Sequence, residues 1–171
     1  MSIAFAEIES SKDHDDERAE VLFVQTAKHS LIDAIITAEK QANGFATEAE
    51  LEIEGGKAVY EIETVSKFGP IEARIDADTG IVLEAKPEDR DDVQLAVIEA
   101  LPQRMIAAIE AAEATTGGTA MEAELESENN RRVFEVELAS SDGQITRAIV
   151  DAQTGEVQAS FKDEDGEHDD D

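Results

Sequence analysis

The sequence predicts an α+β fold built from two similar repeats, each a long helix packed on a four-stranded antiparallel sheet. The first observation is internal repetition: "LIDAIITAEKQANGFATEAELEIEGGKAVYEIE" from Leu31 aligns without a gap with "MIAAIEAAEATTGGTAMEAELESENNRRVFEVE" from Met105. The second is a run of apolar residues at helical spacing that opens each copy. The third is strict alternation of apolar and polar residues after that run, which is typical of strands with one buried face.

In the first repeat, apolar residues recur every three or four positions from Leu22 to Ala42, which predicts a helix that begins after Asp15 or Asp16. Asp15 and Asp16 are candidate N-caps, because their carboxylates can accept hydrogen bonds from free backbone N–H groups. Gly44 is the predicted stop, since glycine readily adopts the backbone conformation that ends helices. We therefore expect one continuous helix before the strands.

The helix of the second repeat follows the same spacing from Val93 to Ala112 and is predicted to end at Gly117 and Gly118. Pro102 lies inside this run. Proline lacks a backbone N–H group and its ring clashes with the preceding turn, so we expect a kink or a split in this helix.

Two hairpins follow each helix. Gly55-Gly56 stands between the alternating runs "AELEIE" and "KAVYEIET" and favours a tight turn, and Asn129-Asn130 takes its place in the second repeat. "IEARIDA" and "IVLEAK" form the other hairpin around "DADTG", which begins at Asp76. This loop has acids at positions one and three, as a calcium loop does, but it lacks the later ligands. Asp76 is therefore predicted to cap its own turn.

The position of the tight turn predicts the register of the first hairpin. If Glu54 pairs with Lys57, Leu51 and Tyr60 face the helix while glutamates lie opposite glutamates on the other face. The Asn129-Asn130 turn repeats this arrangement. The predicted glutamate pairs are Glu48 with Glu63, Glu50 with Glu61, Glu122 with Glu137, and Glu124 with Glu135.

Opposed glutamates are unfavourable, because two carboxylates about 5 Å apart repel by about 1 kcal/mol in water and by about 3 kcal/mol at an effective dielectric constant of about 20. Two interpretations stay open. In one, the face is solvated and its charge is neutralised by ion pairs with basic residues, namely Lys57, Arg74, Lys86, Arg131, Arg147 and Lys162. In the other, the eight glutamates are metal ligands for a hard, oxygen-preferring cation such as calcium or a lanthanide(III) ion.

Composition restricts the partners. The chain has 171 residues, 42 Asp and Glu against 14 Lys and Arg, and a formal charge of -28, which repels nucleic acid and anionic membrane surfaces and attracts cations or basic proteins. The absence of cysteine excludes disulfides, thiolate metal sites and cysteine nucleophiles. No nucleophile elbow or phosphate-binding glycine loop occurs, so we expect no enzymatic activity.

A helix that ends at glycine, a "VYEIE" strand and a "DADTG" turn followed by an apolar strand resemble the PepSY domain, and "VFEVELASSDGQITRAIVDAQTGEV" repeats the pattern. The resemblance covers both copies and implies a small non-catalytic module. A narrower likeness, to the acidic two-PepSY lanthanide-binding proteins called lanpepsy, rests on tandem architecture and acidity. The family resemblance also implies a periplasmic or secreted location, with the leader absent from this chain, and a cytoplasmic location stays open.

These observations predict four segments: a flexible acidic segment at 1–14, PepSY-like repeats at 15–87 and 88–162, and a disordered acidic tail at 163–171. The predicted function is non-catalytic binding of calcium or lanthanide ions at several carboxylate clusters. The alternative, from another class, is an interaction or protease-inhibitor module of the prosegment kind that docks a basic protein or protease.

Overall fold

A computed structural model describes residues 18–89 and 95–161 of the chain. The described helices are α1 (18–26), α2 (Leu31–Ala42), α3 (Leu95–Glu99) and α4 (Met105–Thr116). The strands of the first repeat are β1 (Phe45–Glu54), β2 (Lys57–Ser66), β3 (Gly69–Asp76) and β4 (Val82–Pro87). The strands of the second repeat are β5 (Thr119–Glu128), β6 (Arg131–Ala139), β7 (Ile145–Asp151) and β8 (Val157–Phe161).

Where one long helix was predicted, each repeat has two shorter helices; the continuous helix expected in the first repeat was wrong. In the first repeat the chain leaves the helix after residue 26 and starts a new one at Leu31. Ser30 caps α2, because its side chain accepts from the backbone N–H of Asp33 while the Asp33 carboxylate accepts from the backbone N–H of Ser30. This reciprocal capping satisfies backbone groups that a continuous helix would bond internally, and it favours a fresh start at this point.

The second repeat has the same division. α3 ends before Pro102 and α4 begins at Met105, which confirms the expected split. The guanidinium of Arg104 donates hydrogen bonds to the carbonyl oxygens of Ile98 and Leu101. A basic side chain at the end of a helix stabilises carbonyl groups that have lost their helical partners.

The eight strands form one antiparallel sheet in the order β4-β3-β2-β1-β5-β6-β7-β8. Each repeat supplies the predicted four-stranded meander, but the two meanders are not separate sheets. They join edge to edge through three residue pairs between β1 and β5: Glu48 with Glu124, Ala49 with Ala123, and Glu50 with Glu122. The outer face of β1 therefore continues directly into that of β5.

The core lies on one side of this sheet. α2 packs on β1, β2, β3 and β5, α4 packs on β5 to β8, and the two helices touch each other. Tyr60 and Phe134, at matching positions of the two repeats, are among the largest fully buried side chains. Burial alternates along the central strands, so every second side chain faces the helices and the others lie on the opposite, outer face.

The turns follow the predicted chemistry. Gly55, Gly56, Asn129 and Asn130 all have positive φ angles, from 47° to 78°, as a two-residue hairpin turn of the favoured twist requires. Asp76 Oδ1 accepts hydrogen bonds from the backbone N–H groups of residues 78 and 79 at 3.0 and 2.8 Å, which confirms the turn-capping role. The same role falls to the matching aspartate of the second repeat.

No helix among the described residues is both long enough and apolar enough to cross a membrane. The predicted acidic tails, 1–14 and 163–171, and the candidate caps Asp15 and Asp16 lie outside the described residues. The boundaries placed at 15–87 and 88–162 stay predictions.

Candidate functional site

The eight predicted glutamates lie on the outer face of the four central strands, and we call them the carboxylate array. All four predicted cross-strand glutamate pairs are confirmed. The β1–β5 junction, which the sequence did not predict, merges the two clusters into two rows. One row is Glu61, Glu50, Glu122 and Glu137, and the other is Glu63, Glu48, Glu124 and Glu135.

The spacing of the array follows from sheet geometry. Directly opposed residues of an antiparallel pair have Cα atoms about 5 Å apart, and alternate residues of one strand are about 7 Å apart. The Cα atoms of Glu48, Glu50, Glu122 and Glu124 thus lie at the corners of a small rectangle at the centre of the sheet, and their side chains leave it on the outer face.

The two glutamates at one side of this rectangle have strongly shifted acidity. The pKa of Glu50 rises to about 7, first because the side chain is half-buried and then because Glu52, Glu48, Glu122 and Glu61 surround it with negative charge. Burial also raises the pKa of Glu122 to about 7, and here the contributing charges come from residues 137, 124, 48 and 135. Burial and like charge act in the same direction, since both disfavour ionisation.

At the flank of the array in the first repeat, an arginine side chain supplies positive charge. Arg74 on β3 forms an ion pair with Glu54 and lies 3.8 Å from carboxylate oxygens of both Glu61 and Glu84. Burial, Glu72 and Glu52 raise the pKa of Glu61, while the charge of Arg74 opposes that rise. Ion pairing thus balances the outer flank of this repeat, as the solvated-face interpretation expects.

A second ion pair lies beside it. The ammonium of Lys86 on β4 is 2.7 Å from the carboxylate of Glu72, which is largely buried. Hydrogen bonding from Lys86 lowers the pKa of Glu72 despite that burial. The two basic residues, Arg74 on β3 and Lys86 on β4, lie outside the central rectangle.

The second repeat compensates its flank differently. Ile149 faces Glu135 as Arg74 faces Glu61, so an apolar residue takes the place of the guanidinium. Arg147 reaches Glu135 diagonally and forms an ion pair with it, and its side chain is 46% exposed, against 22% for Arg74. The ion pair on the flank of the second repeat is therefore more exposed to solvent than that of the first.

Two further acids join the site on this side. Glu126, Glu128 and Glu135 each place a carboxylate oxygen within 4.8 Å of those of the other two. Glu135 was among the predicted ligands, whereas Glu126 and Glu128 were not. Their signal was present in the sequence, because the alternation of glutamates along β5 continues through both.

The family of the chain follows from two matches. Residues 30–86 and residues 107–161 each match the model of the PepSY family, described as the peptidase propeptide and YPEB domain. These two stretches cover more than half of the chain and coincide with the two structural repeats. The chain belongs to the PepSY family and carries the domain in tandem. No curated protein matches the chain.

Three solved structures are similar to parts of the chain. CD1622 from Clostridium difficile 630, described as a candidate lipoprotein, is 24% identical with a TM-score of 0.48, over 80% of this chain and 95% of that one. The YpmB protein from Bacillus subtilis is 18% identical with a TM-score of 0.34, over 75% and 95%. The YpeB C-terminal domain from Bacillus megaterium is 14% identical with a TM-score of 0.32, over 80% and 67%.

Proposed function

We propose that this tandem PepSY protein is a non-catalytic module that binds hard multivalent cations, calcium or lanthanide(III), on the carboxylate array, and that it works in the periplasm or after secretion. One observation carries the proposal. The β1–β5 junction sets Glu50 against Glu122 and Glu48 against Glu124, so the two repeats together make one block of carboxylates. The charges that raise the pKa of Glu50 and Glu122 most are those of other carboxylates.

The chemistry of the block suits such ions. Calcium takes six to eight oxygen ligands and tolerates flexible carboxylates that bind through one or both oxygens. The central four glutamates would supply the first oxygens, their neighbours in the two rows would supply more, and water would complete the coordination shell. A bound cation would also remove the repulsion between opposed glutamates, so binding and sheet stability would be linked.

The ion pairs of the first repeat also support the proposal that this face binds a cation. Arg74 already places positive charge among Glu54, Glu61 and Glu84, which indicates that a cation on this face is structurally useful. In the second repeat, Ile149 leaves the equivalent position without a guanidinium, and Glu126, Glu128 and Glu135 converge nearby. The flank of the second repeat is therefore the more accessible binding site for an external ion, which would compete with Arg147 for the carboxylate of Glu135.

The first test compares thermal unfolding in calcium or lanthanum chloride with unfolding in sodium chloride of equal ionic strength. A ligand at a hundred times its Kd stabilises the folded state by about 2.7 kcal/mol, which corresponds to a rise in Tm of about 5–10 °C for a chain of this size. We expect that rise with the multivalent ion only. Equal shifts in both salts would refute cation binding, since they would reflect screening alone.

Variants locate the site. The double substitution Glu50→Gln and Glu122→Gln removes two central carboxylates and should weaken calcium or lanthanum binding in titration calorimetry by at least about tenfold. The matched control is the double substitution Glu110→Gln and Glu156→Gln, which makes the same change in net charge at two exposed acids away from the array. Equal loss of affinity in both variants would indicate diffuse attraction by net charge and not a site.

A third variant tests the flank. Ile149→Arg places a guanidinium opposite Glu135, in the register that Arg74 has opposite Glu61. We expect it to compete with an ion bound at the second repeat and to leave the central block able to bind. Retention of every binding event in this variant would limit the site to the central rows.

Docking of a basic protein or a protease is the second candidate function, and the family's description as a peptidase propeptide domain favours it. The same acidic face would be used, but binding of the partner would then persist in a chelator and weaken steeply with monovalent salt. Partner binding without any calcium or lanthanum response would favour this alternative over the cation proposal.

A further inference from the structure

The two outermost strands of the described sheet, β4 and β8, are not equivalent. At β4 and the turn before it, Leu83 and Ile81 are 55% and 60% exposed. The polar residues Gln158 and Glu156 take their places in the second repeat. α4 packs on β8, whereas α2 packs mainly on β1 and β2. The edge of the first repeat is therefore the more apolar of the two and has less helix beneath it.

The backbone of β4 presents hydrogen-bonding groups at this edge, where no strand of the described residues pairs with it. The N–H of Glu88, just after β4, donates to the carbonyl of Pro70 on β3 at 3.1 Å. Because residues of an antiparallel strand direct their N–H and C=O groups to alternate sides, those of Ala85 and Pro87 face the edge. Proline has no N–H to leave unpaired there. Ala85 therefore offers both a donor and an acceptor to a further strand.

Two features limit how much of this edge can pair. The register shifts between Arg74 and Ile75, which leaves Leu83 as an extra residue in a bulge of β4. At the other end of the strand, Pro87 removes a donor. Bulges and prolines protect edge strands from open-ended aggregation. They leave a short pairing segment, residues 84–86, which suits one defined partner and not a growing fibre.

The charges of this segment are complementary to those of a second copy of the chain. In an antiparallel pair of two β4 strands centred on Ala85, Glu84 of each copy lies opposite Lys86 of the other copy. A shift of the centre by one residue in either direction would oppose Glu84 to Glu84 or Lys86 to Lys86. Opposite charges in direct cross-strand pairs are stabilising and like charges are destabilising, so the register centred on Ala85 is the favourable one.

Ion pairs within the chain extend this complementarity across the contact. The ammonium of Lys86 is 2.7 Å from the carboxylate of Glu72, and the guanidinium of Arg74 is 3.8 Å from that of Glu84. Pairing in this register brings a glutamate of the partner subunit beside Lys86 and a lysine of the partner subunit beside Glu84. Acids and bases then alternate along both rows, from β3 through β4 to the second copy.

The chain already contains a strand pairing with a similar centre. β1 and β5 meet in antiparallel orientation around Ala49 and Ala123, two alanines directly opposite each other. Both pairs that flank these alanines join glutamate with glutamate, whereas both pairs that flank Ala85 would join glutamate with lysine. The electrostatics of a β4–β4 pair are therefore more favourable than those of a pairing that the fold already accommodates.

We propose that two copies of this protein associate through their β4 strands, in antiparallel register centred on Ala85, so that two eight-stranded sheets become one continuous sheet. The exposed Leu83 of each copy then lies opposite Pro87 of the other, which removes apolar surface from water. The net charge of -28 on each copy opposes association, so the dimer forms at micromolar and not at nanomolar concentration. This inference goes beyond cation binding and requires no metal.

The first test is sedimentation velocity in EDTA and about 150 mM sodium chloride, at protein concentrations from about 1 to about 200 µM. We expect the mass to rise from 18.5 kDa toward twice that value as the concentration increases. A monomer at every concentration would overturn the proposal and leave this edge to an extended segment of another protein. A series of ever larger species would overturn it as well, because a two-fold contact closes at two copies.

Charge variants test the register. Glu84→Lys sets lysine against lysine and Lys86→Glu sets glutamate against glutamate, so we expect each variant alone to remain monomeric. An equal mixture of the two should form the dimer again, because both cross-strand pairs then join opposite charges. Gln158→Lys, on the other edge strand, is the control and should dimerise as the parent does. Dimers of either β4 variant alone, or a mixture that stays monomeric although both variants give the circular dichroism spectrum of the parent, would overturn the proposal.

Disulfide cross-linking gives an independent readout that leaves the charges unchanged. The chain has no cysteine, so Ala85→Cys introduces a single thiol at the centre of the proposed contact. Opposed residues of a hydrogen-bonded antiparallel pair have Cα atoms about 5.5 Å apart, which a disulfide can span. We expect mild oxidation to link this variant into a covalent dimer, and to link Ala159→Cys, at the matching exposed position of β8, at least about fivefold less. Equal yields would indicate random collision and overturn the proposal.

Discussion

Replacement of Glu50 by Gln should make the protein more stable at neutral and alkaline pH. The ordinary pKa of glutamate is 4.5 in the unfolded chain, and that of Glu50 rises to about 7 in the folded protein. A folded-state pKa above the unfolded value gives stability that is present below about pH 4.5 and is lost as pH rises through about 7. Glutamine carries no charge and escapes this loss.

The size of the effect follows from the shift. Each pKa unit corresponds to 1.36 kcal/mol, so the change from 4.5 to about 7 gives an upper limit of about 3.4 kcal/mol. Glu50 is only half-buried, and solvent screening reduces the expected value to about 1–2 kcal/mol. Burial is the largest cause of the shift, and the charges of Glu52, Glu48, Glu122 and Glu61 add to it.

The assay is urea unfolding of the parent and of Glu50→Gln at about pH 5 and about pH 8. The parent should lose stability between these values, and the variant should lose about 1–2 kcal/mol less. Glu110→Gln is the control, because it removes one charge from an exposed helix position. If parent, variant and control lose the same amount, general repulsion within a chain of net charge -28 explains the loss and the local argument fails.

Two further predictions concern packing. Gly44→Ala should destabilise the fold by about 2–3 kcal/mol in urea unfolding, because a Cβ at Gly44 would lie 2.3 Å from the Val65 carbonyl oxygen. Gly118→Ala should destabilise it by less, because a Cβ there meets nothing closer than 3.0 Å. Equal losses of stability in the two variants would contradict this reasoning. Tyr60→Phe should cost about 1 kcal/mol in the same assay, since its hydroxyl donates to the carbonyl of His29 at 2.8 Å, and an unchanged midpoint would show that this hydrogen bond adds nothing.

The sequence was sufficient for the hairpins and for the register of their strands. The pair Gly55-Gly56 located a tight turn, and period-two alternation then determined which residues oppose each other, so Glu50 was correctly paired with Glu61. The matching Asn129-Asn130 turn repeated this in the second copy. Register follows from the turn and the buried face together, and both are visible in one sequence.

Two features were missed for different reasons, one because a local signal was overlooked and one because local patterns do not contain it. The break between α1 and α2 depends on reciprocal capping by Ser30 and Asp33, a signal that the apolar periodicity running through the break concealed. The β1–β5 junction depends on which sheet edges meet, and neither strand records its partner in its own alternation. The assembly of Glu50 with Glu122 was therefore unpredictable even though each glutamate had been identified.

The β1–β5 junction has a consequence for the origin of the chain. It pairs β1 with β5, the matching strand of the other repeat, in antiparallel orientation. Both repeats therefore contribute the same residues to the contact, as the two subunits do in an isologous dimer interface. Duplication within a single chain turns such an association into an intramolecular one and removes its dependence on concentration. The halves then need not stay identical, and Arg74 against Ile149 shows that they have diverged where a symmetric dimer would have kept one residue on both sides.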